Sequence, residues 1–282
     1  MEYIDANGEI EVIGCGDFDL VKIFECGQCF RWDADEEGTY LGIAQGRAAR
    51  LRQCGDSVFI TATADEFDQI WRSYFDLDRD YSSIRKKLEV DDFMAKAIAF
   101  GQGIRILRQE HWEALCSFII SQNNNIPRIK QIISALCQHF GDAFEFMGSR
   151  LHTFPSAEKL AHLDIFDLAP INSGYRAAYI ISAAKAVASG EIDLSALADL
   201  SPNDARDALK KLHGVGDKVA DCTMLFGLHM LDSFPLDLWM KRAVNEQYGK
   251  NFDPTVFSPY AGIAQQYIFH YTRSMGKDTA QL

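Results

Sequence analysis

Residues 211–223 read KLHGVGDKVADCT, and Lys218 stands two residues after the second of two glycines. A helix ending near His213, glycines at 214 and 216 that accept tight or left-handed backbone, and a new helix from Asp217 make a hairpin between helices. Leu212 and Val215 are the apolar positions that would pin it. The free amides at the start of the second helix form an anion site, and a DNA phosphate is its natural guest. Lys218 then has two readings, a phosphate contact or a nucleophile. The positive end of the helix macrodipole favours a neutral, nucleophilic amine, whereas Asp217 next door favours the charged form. Spacing alone leaves the choice open. Nineteen residues later Asp237 opens the run DLWMKR. Its simplest role is a helix N-cap, but one helix and a turn can bring it back beside Lys218. There a carboxylate could stabilise positive charge developing on a sugar and move the amine's proton. The two roles are compatible, because a cap holds its side chain rigidly.

These groups need a scaffold, and the chain is long enough to supply one. Its 282 residues, 48% hydrophobic, suffice for a substantial core. The segments TYLGIA, AARLRQ and SVFITAT, parted by turn signals at DADEEG, QG and CGD, read as antiparallel β structure within the first sixty or so residues. From Asp65 the pattern turns helical, with expected helices near 66–75, 81–88, 91–100, 108–121, 126–140, 156–163, 174–189, 202–213, 217–228, 237–248 and 259–275. Ser201-Pro202-Asn203-Asp204 carries an N-cap serine, a proline at the first helical position and an acid in the first turn. The expected fold class is α+β: a small antiparallel β-sheet domain over residues 1–100, with linking helices, then a two-lobed all-helical body over 101–282 with the helix-hairpin-helix at about 202–228.

Charge and cysteine use narrow the function classes. The net charge of −12 sits poorly with a nucleic-acid partner, but residues 1–100 hold 21 acidic against 11 basic groups. The remaining residues hold 19 and 17, so a DNA-binding face is compatible with them, with weak electrostatic steering. The longest apolar runs, such as LCSFII, fall far short of a membrane span, and the opening MEYIDANGEI has neither a basic region nor an apolar one, so a bacterial cytoplasm and no membrane partner are expected. Seven scattered cysteines favour reduced thiols over a disulfide framework, and the single C-x-x-C at 26 and 29 lacks a second ligand pair for a metal.

LHGVGDKVADC followed by PLDLWMKRAV resembles the helix-hairpin-helix DNA glycosylase superfamily. CGQCFRW (26–32), SFIISQNNNIPRI (117–129), SGYRAAYI (173–180) and AGIAQQYIF (261–269) are similar, in order and spacing, to segments of the 8-oxoguanine DNA glycosylase/AP lyases. The resemblance runs over nearly the whole chain, and it implies a monomeric base-excision-repair enzyme acting on double-stranded DNA with oxidised guanine opposite cytosine. It implies that Lys218 attacks the deoxyribose C1′ and forms a Schiff base that permits β-elimination, with Asp237 assisting both stages. The target base must leave the stack to be reached. Gly27 would read the oxidised base through its carbonyl, Phe269 and Cys222 would sandwich the base, and Gln265 would bond its Watson–Crick edge. Asn123, Arg128 and Arg176 would contact the orphaned cytosine, Tyr175 would wedge between bases, and Gly214 and Gly216 would meet a phosphate. Each has a plain structural alternative: turn glycine, helix packing, C-terminal cap, surface charge or buried tyrosine.

Some positions depart from the family. Trp239 stands where a histidine is usual, so that residue's phosphate contact is lost or replaced, and INSGYR lacks a glycine two residues before Gly174. No cysteine follows Cys222, which excludes the C-terminal iron–sulfur cluster of other superfamily branches. No cofactor is expected, with a monovalent cation at the hairpin left open. The competing readings are a helix-hairpin-helix glycosylase for another damaged base and a non-catalytic DNA-binding hairpin protein.

Overall fold

The computed structural model describes residues 2–6 and 8–279. Six antiparallel strands form one sheet: β1 (Glu2–Asp5), β2 (Glu9–Ile13), β3 (Trp32–Ala34), β4 (Tyr40–Ala44), β5 (Arg47–Cys54) and β6 (Ser57–Thr61), in the order β1-β2-β6-β5-β4-β3. The alternation expected of a one-sided sheet is present: Ile10, Val12, Leu51, Val58 and Ile60 are buried while their neighbours along the strands are not. In the β3–β4 register Trp32 lies opposite Gly42, where a Cβ would strike the indole at 2.1 Å. The indole instead stacks on Phe24 at 4.5 Å and donates to Tyr74 Oη at 2.9 Å.

Phe24 belongs to a helix inside the region read as β structure, α1 (Leu20–Glu25). Asp19 caps it, accepting from Lys22 N, and Leu20, Ile23 and Phe24 are its buried positions. Three apolar residues at that spacing suit one face of a helix, so the β reading of this stretch is corrected. The sheet's core is completed by a helical stretch over 64–74 whose middle, Phe67–Trp71, is π-helical and buries Phe67 and Trp71.

The body follows the expected helices closely. They include α2 (Tyr81–Leu88), α3 (Asp92–Gly101), α4 (His111–Ile120), α5 (Ile126–Phe140), α6 (Arg176–Ala188), α7 (Pro202–Leu209), α8 (Asp217–Cys222), α9 (Leu238–Tyr248) and α10 (Ala261–Thr279). Local chemistry sets their starts: Asp80, Asp91, Asn125, Ser201 and Asp237 each accept from a backbone amide of the first turn. α7 stops at Leu209 and α8 passes at Cys222 into a π-helical turn, Thr223–Gly227, so both are shorter than the α-helices expected. The body is also not all-helical. β7 (Ala143–Phe146) and β8 (Ser149–His152) form a hairpin around Met147 and Gly148, both with positive φ. α4 is central: every residue from Ala114 to Ile120 is buried.

Sheet and body are tied by buried polar groups. The Gln28 side chain donates to the carbonyls of Ile23 and Arg105 and accepts from Leu107 N. The Arg105 guanidinium donates to Asp17 O, Phe75 O and Arg79 O and stacks on Tyr81. Asp76, in left-handed backbone, accepts from Arg79 at 2.5 Å, Arg108 at 3.0 Å and Tyr81 Oη at 3.2 Å, with His229 Nε2 at 3.5 Å. Burial alone would raise the Asp76 carboxyl, but these partners outweigh it and hold it well below the usual carboxylate range. Burial lowers His229 and its contact with Asp76 opposes that shift; among the groups that lower Asp76, His229 comes first and Arg79 next.

A carboxyl depressed in the folded state stabilises the fold above its unfolded value, about 3.9, and loses that contribution as pH falls toward the folded value. Asp76→Asn is therefore expected to cost roughly 3 kcal/mol at pH 7. The deficit should shrink below about pH 4, where the wild type gives up the same interaction. Denaturant titrations of both proteins across this range check it, and a pH-independent difference would refute the electrostatic account.

Candidate active site

A cleft of about 950 Å³ opens between the end of α4, the start of α5, the hairpin before α8, the start of α9 and the middle of α10. Gly27, Asn123, Gly216, Lys218, Asp237 and Phe269 line it together. Apart from Gly216 and Lys218, which share the hairpin, they come from separate segments of the sequence. A second cleft of about 550 Å³, between the β3–β4 edge of the sheet and β8, contains none of the site residues expected from the sequence.

The hairpin forms as its glycines require. Gly214 has φ +83°, and a Cβ there would sit 2.3 Å from the Tyr179 ring. Val215 N bonds Leu212 O at 3.0 Å, and both apolar side chains are buried. Gly216 caps α8 without a side-chain bond and faces open space, leaving the first-turn amides to a partner. Lys218 projects from that turn. Its Nζ donates to Ser121 Oγ at 2.8 Å and lies 5.3 Å from the centre of the Phe118 ring. Asp217 is engaged elsewhere: Lys210 binds it at 2.6 Å and holds it below its ordinary value, although the pair is largely exposed. Asp237 caps α9, accepting from Met240 N at 2.7 Å, so the carboxylate is oriented within the cleft that holds Lys218.

Cys222, one turn beyond Lys218, is buried, and burial pushes its thiol up to about 11 against the opposing effect of Lys218. It is a packing thiol and not a thiolate. Gly27 has φ +83°, and a Cβ there would lie 3.7 Å from Phe269, so the two abut. The Arg273 guanidinium lies 5.9 Å from the Phe269 ring. Gln265 does not line the cleft. It is buried, with Nε2 on Pro235 O at 3.2 Å and Oε1 accepting from Gln266 at 2.9 Å.

Around SQNNN the three amides divide. Asn123 takes φ +46° and donates to Tyr175 Oη at 3.2 Å, Asn124 donates to Ile120 O, and Asn125 caps α5. Tyr175 is 50% exposed beside Asn123. Arg128 is exposed and donates to Asn172 O at 3.0 Å. Arg176 is only 9% exposed, and its guanidinium donates to the carbonyls of Gln122, Asn123 and Ser173. The structure thus places Arg176 beneath the Asn123 turn. The glycine missing from INSGYR is replaced by Asn172, which adopts φ +52° at the end of a short 3-10 turn, a conformation asparagine tolerates. Trp239 lines the cleft, 41% exposed, with its indole N–H on Thr272 Oγ1 at 3.3 Å. Ser121, Phe118, Lys241 and Arg273 were missed as site residues; the first two lie in the quoted SFIISQ run, where serine and phenylalanine carry no distinguishing signal.

A helix-hairpin-helix with free amides, joined in one cleft by an amine and a capped carboxylate, defines a DNA-processing enzyme of the glycosylase fold. Comparison with known proteins agrees. Residues 12–115 match the model of the 8-oxoguanine DNA glycosylase N-terminal domain, and residues 116–256 match that of the HhH-GPD superfamily of base excision DNA repair proteins. The chain is 32% identical to the N-glycosylase/DNA lyase of Saccharomyces cerevisiae over 255 residues, 81% of this chain and 68% of that one. Its structure superposes with a TM-score of 0.92 on the Clostridium acetobutylicum 8-oxoguanine glycosylase/lyase, solved with double-stranded DNA containing cytosine opposite 8-oxoguanine. Identity there is 36%, covering 98% of this chain and 99% of that chain. A TM-score of 0.93 at 43% identity, covering 98% and 100%, relates it to MBOgg1, solved with a low-affinity DNA ligand. The chain belongs to the 8-oxoguanine DNA glycosylase branch of the HhH-GPD base-excision-repair superfamily.

If Arg176 serves the turn beneath Asn123, Arg176→Met leaves three carbonyls without their donors and is expected to cost about 3 kcal/mol of folding free energy. Urea unfolding checks this. An arginine held out for a base edge would leave the midpoint unchanged.

Proposed function

We propose that this protein excises 8-oxoguanine from duplex DNA, opposite cytosine, and cleaves the resulting abasic site by β-elimination. The observation that carries the reading is the joint presence of Lys218, the capped Asp237, Gly27 and Phe269 on one cleft beside the phosphate-binding hairpin. A target nucleotide turned out of the stack would enter that cleft, since its C1′ is out of reach inside the duplex. The Lys218 amine attacks C1′ as the bond from C1′ to the base breaks. The base leaves with the electron pair and takes up a proton, while the amine gives one up. Opening of the sugar ring yields a Schiff base whose cationic nitrogen accepts electrons when the C2′ proton is removed, and the C3′–O bond to the phosphate then breaks. Asp237 is suited to stabilise charge at C1′ and to carry protons between these steps.

Gly27 and Phe269 would hold the oxidised base with Cys222 behind them, and Gln265 would reach its edge by giving up Pro235. Asn123, Tyr175 and Arg128 would face the gap and the orphaned cytosine, with Arg176 supporting their turn. Among the described residues no helix is long and apolar enough to cross a membrane. We place the enzyme in a bacterial cytoplasm as a monomer on DNA.

Lys218→Gln is expected to abolish the borohydride-trapped adduct and to slow excision by roughly a thousandfold. Single-turnover assays on duplexes with 8-oxoguanine opposite each of the four bases test both parts. Trapping retained by the variant would remove Lys218 as nucleophile, and equal rates opposite all four bases would remove the cytosine preference.

A further inference from the structure

We infer that Ser121 is a positioning residue for the Lys218 amine. It follows α4 directly, is 8% exposed, and lines the same cleft. Its hydroxyl proton is committed, donated to Phe118 O at 2.8 Å. What it presents to Lys218 is therefore lone-pair density, and Nζ donates into it at 2.8 Å. The Phe118 ring lies 5.3 Å from Nζ, and the Cys222 thiol one turn along the helix also interacts with the amine. That ring is itself fixed, stacked on Phe226 at 5.3 Å and edge-on to Phe30 at 5.9 Å.

The chemistry of this partner suits a nucleophile. A free lysine side chain has four rotatable bonds, and a reacting amine spread over many rotamers rarely meets its carbon. A hydroxyl that only accepts takes one N–H and leaves the nitrogen lone pair of the neutral amine unoccupied and directed away from the serine. A carboxylate in the same place would favour the ammonium, and a hydroxyl free to donate would compete for the lone pair. The Phe118 carbonyl thus fixes which role Ser121 plays, and Ser121 fixes where the amine points. The bond served is the one from Nζ to C1′, formed as the C1′–base bond breaks. Attack on an abasic sugar needs the same amine in the same place, so Ser121 should serve both reactions. The inference rests on Lys218 being the nucleophile.

The test compares Ser121→Ala and Ser121→Cys with wild type at saturating enzyme, on an 8-oxoguanine:cytosine duplex and on a duplex with a preformed abasic site. Ser121→Cys keeps the side chain's shape, with a somewhat larger atom and a much weaker acceptor, so it reports even if the alanine variant folds poorly. Excision, abasic-site cleavage and borohydride trapping should fall together, by about tenfold, with duplex Kd unchanged within about twofold. A purely structural role would lower melting temperature or affinity without this common loss of rate. The inference is overturned if all rates stay within about twofold of wild type. It is equally overturned if excision falls while abasic-site cleavage holds, since that would place Ser121 in base recognition. Lys218→Gln is run alongside: if it still traps and cleaves, the nucleophile assignment fails and this inference with it, whereas an inactive Lys218→Gln beside an unaffected Ser121 pair overturns only the role of Ser121.

Discussion

The buried guanidinium of Arg176 is the contact on which the cleft depends. α4 ends at Ile120, and a helix end leaves carbonyls without intrahelical partners, which is costly where water is excluded. Arg176, on a different helix, supplies donors to Gln122 O and Asn123 O and ties that end to Ser173. With the end of α4 fixed, Asn123 can be held in left-handed backbone facing Tyr175, Asn125 can cap α5, and Ser121 meets Lys218 from across the cleft. One side chain therefore coordinates elements that meet nowhere in the sequence. A charge buried with good partners is worth keeping for geometry even where its net stabilisation is modest.

The acids of α8 are handled in the same way. Asp217 and Asp221 flank Lys218 along the helix, and both are answered by bases of α7 or the turn after it. Lys210 binds Asp217 at 2.6 Å and Arg206 binds Asp221 at 2.7 Å. The pairs cross the hairpin, so they brace it while offsetting charge that would repel a phosphate backbone. The overall charge of −12 is accordingly a poor guide to this face. The local balance of ion pairs decides how an anionic polymer meets it, and the exposed Lys210–Asp217 pair adds little to the fold.

Features encoded over a few residues were readable in the sequence. The glycine hairpin, the Ser201 and Asp237 caps, and the bounds of α2 and α5 follow from backbone conformation and hydrogen bonding within one turn. The strands at 40–44, 47–54 and 57–61 were legible because each alternates against a buried face. α1 was hidden by its shortness, and the β7–β8 hairpin by an unusual Met147-Gly148 turn in place of asparagine or aspartate before glycine. In the site, resemblance supplied residue identities but not their states. That Arg176 points inward, or that Ser121 rather than Asp217 faces the Lys218 amine, depends on packing between α4, α6 and α8, and no local pattern carries it.

Gln265 would, on the proposed function, link recognition to chemistry. Its amide holds Pro235 O, two residues before the carboxylate of Asp237, and its oxygen holds Gln266. The segment that delivers Asp237 is thus anchored by the side chain expected to read a base edge. A base that draws the Gln265 amide toward itself takes a hydrogen bond from that segment, and leaving Pro235 O buried and unpaired would cost on the order of 1–3 kcal/mol. If Gln265 reads the base edge as proposed, a base would have to replace this loss with its own hydrogen bonds to Gln265. On the proposed reading of Gln265 this exchange would occur next to the carboxylate of Asp237, so discrimination and the placing of Asp237 would draw on the same bonds.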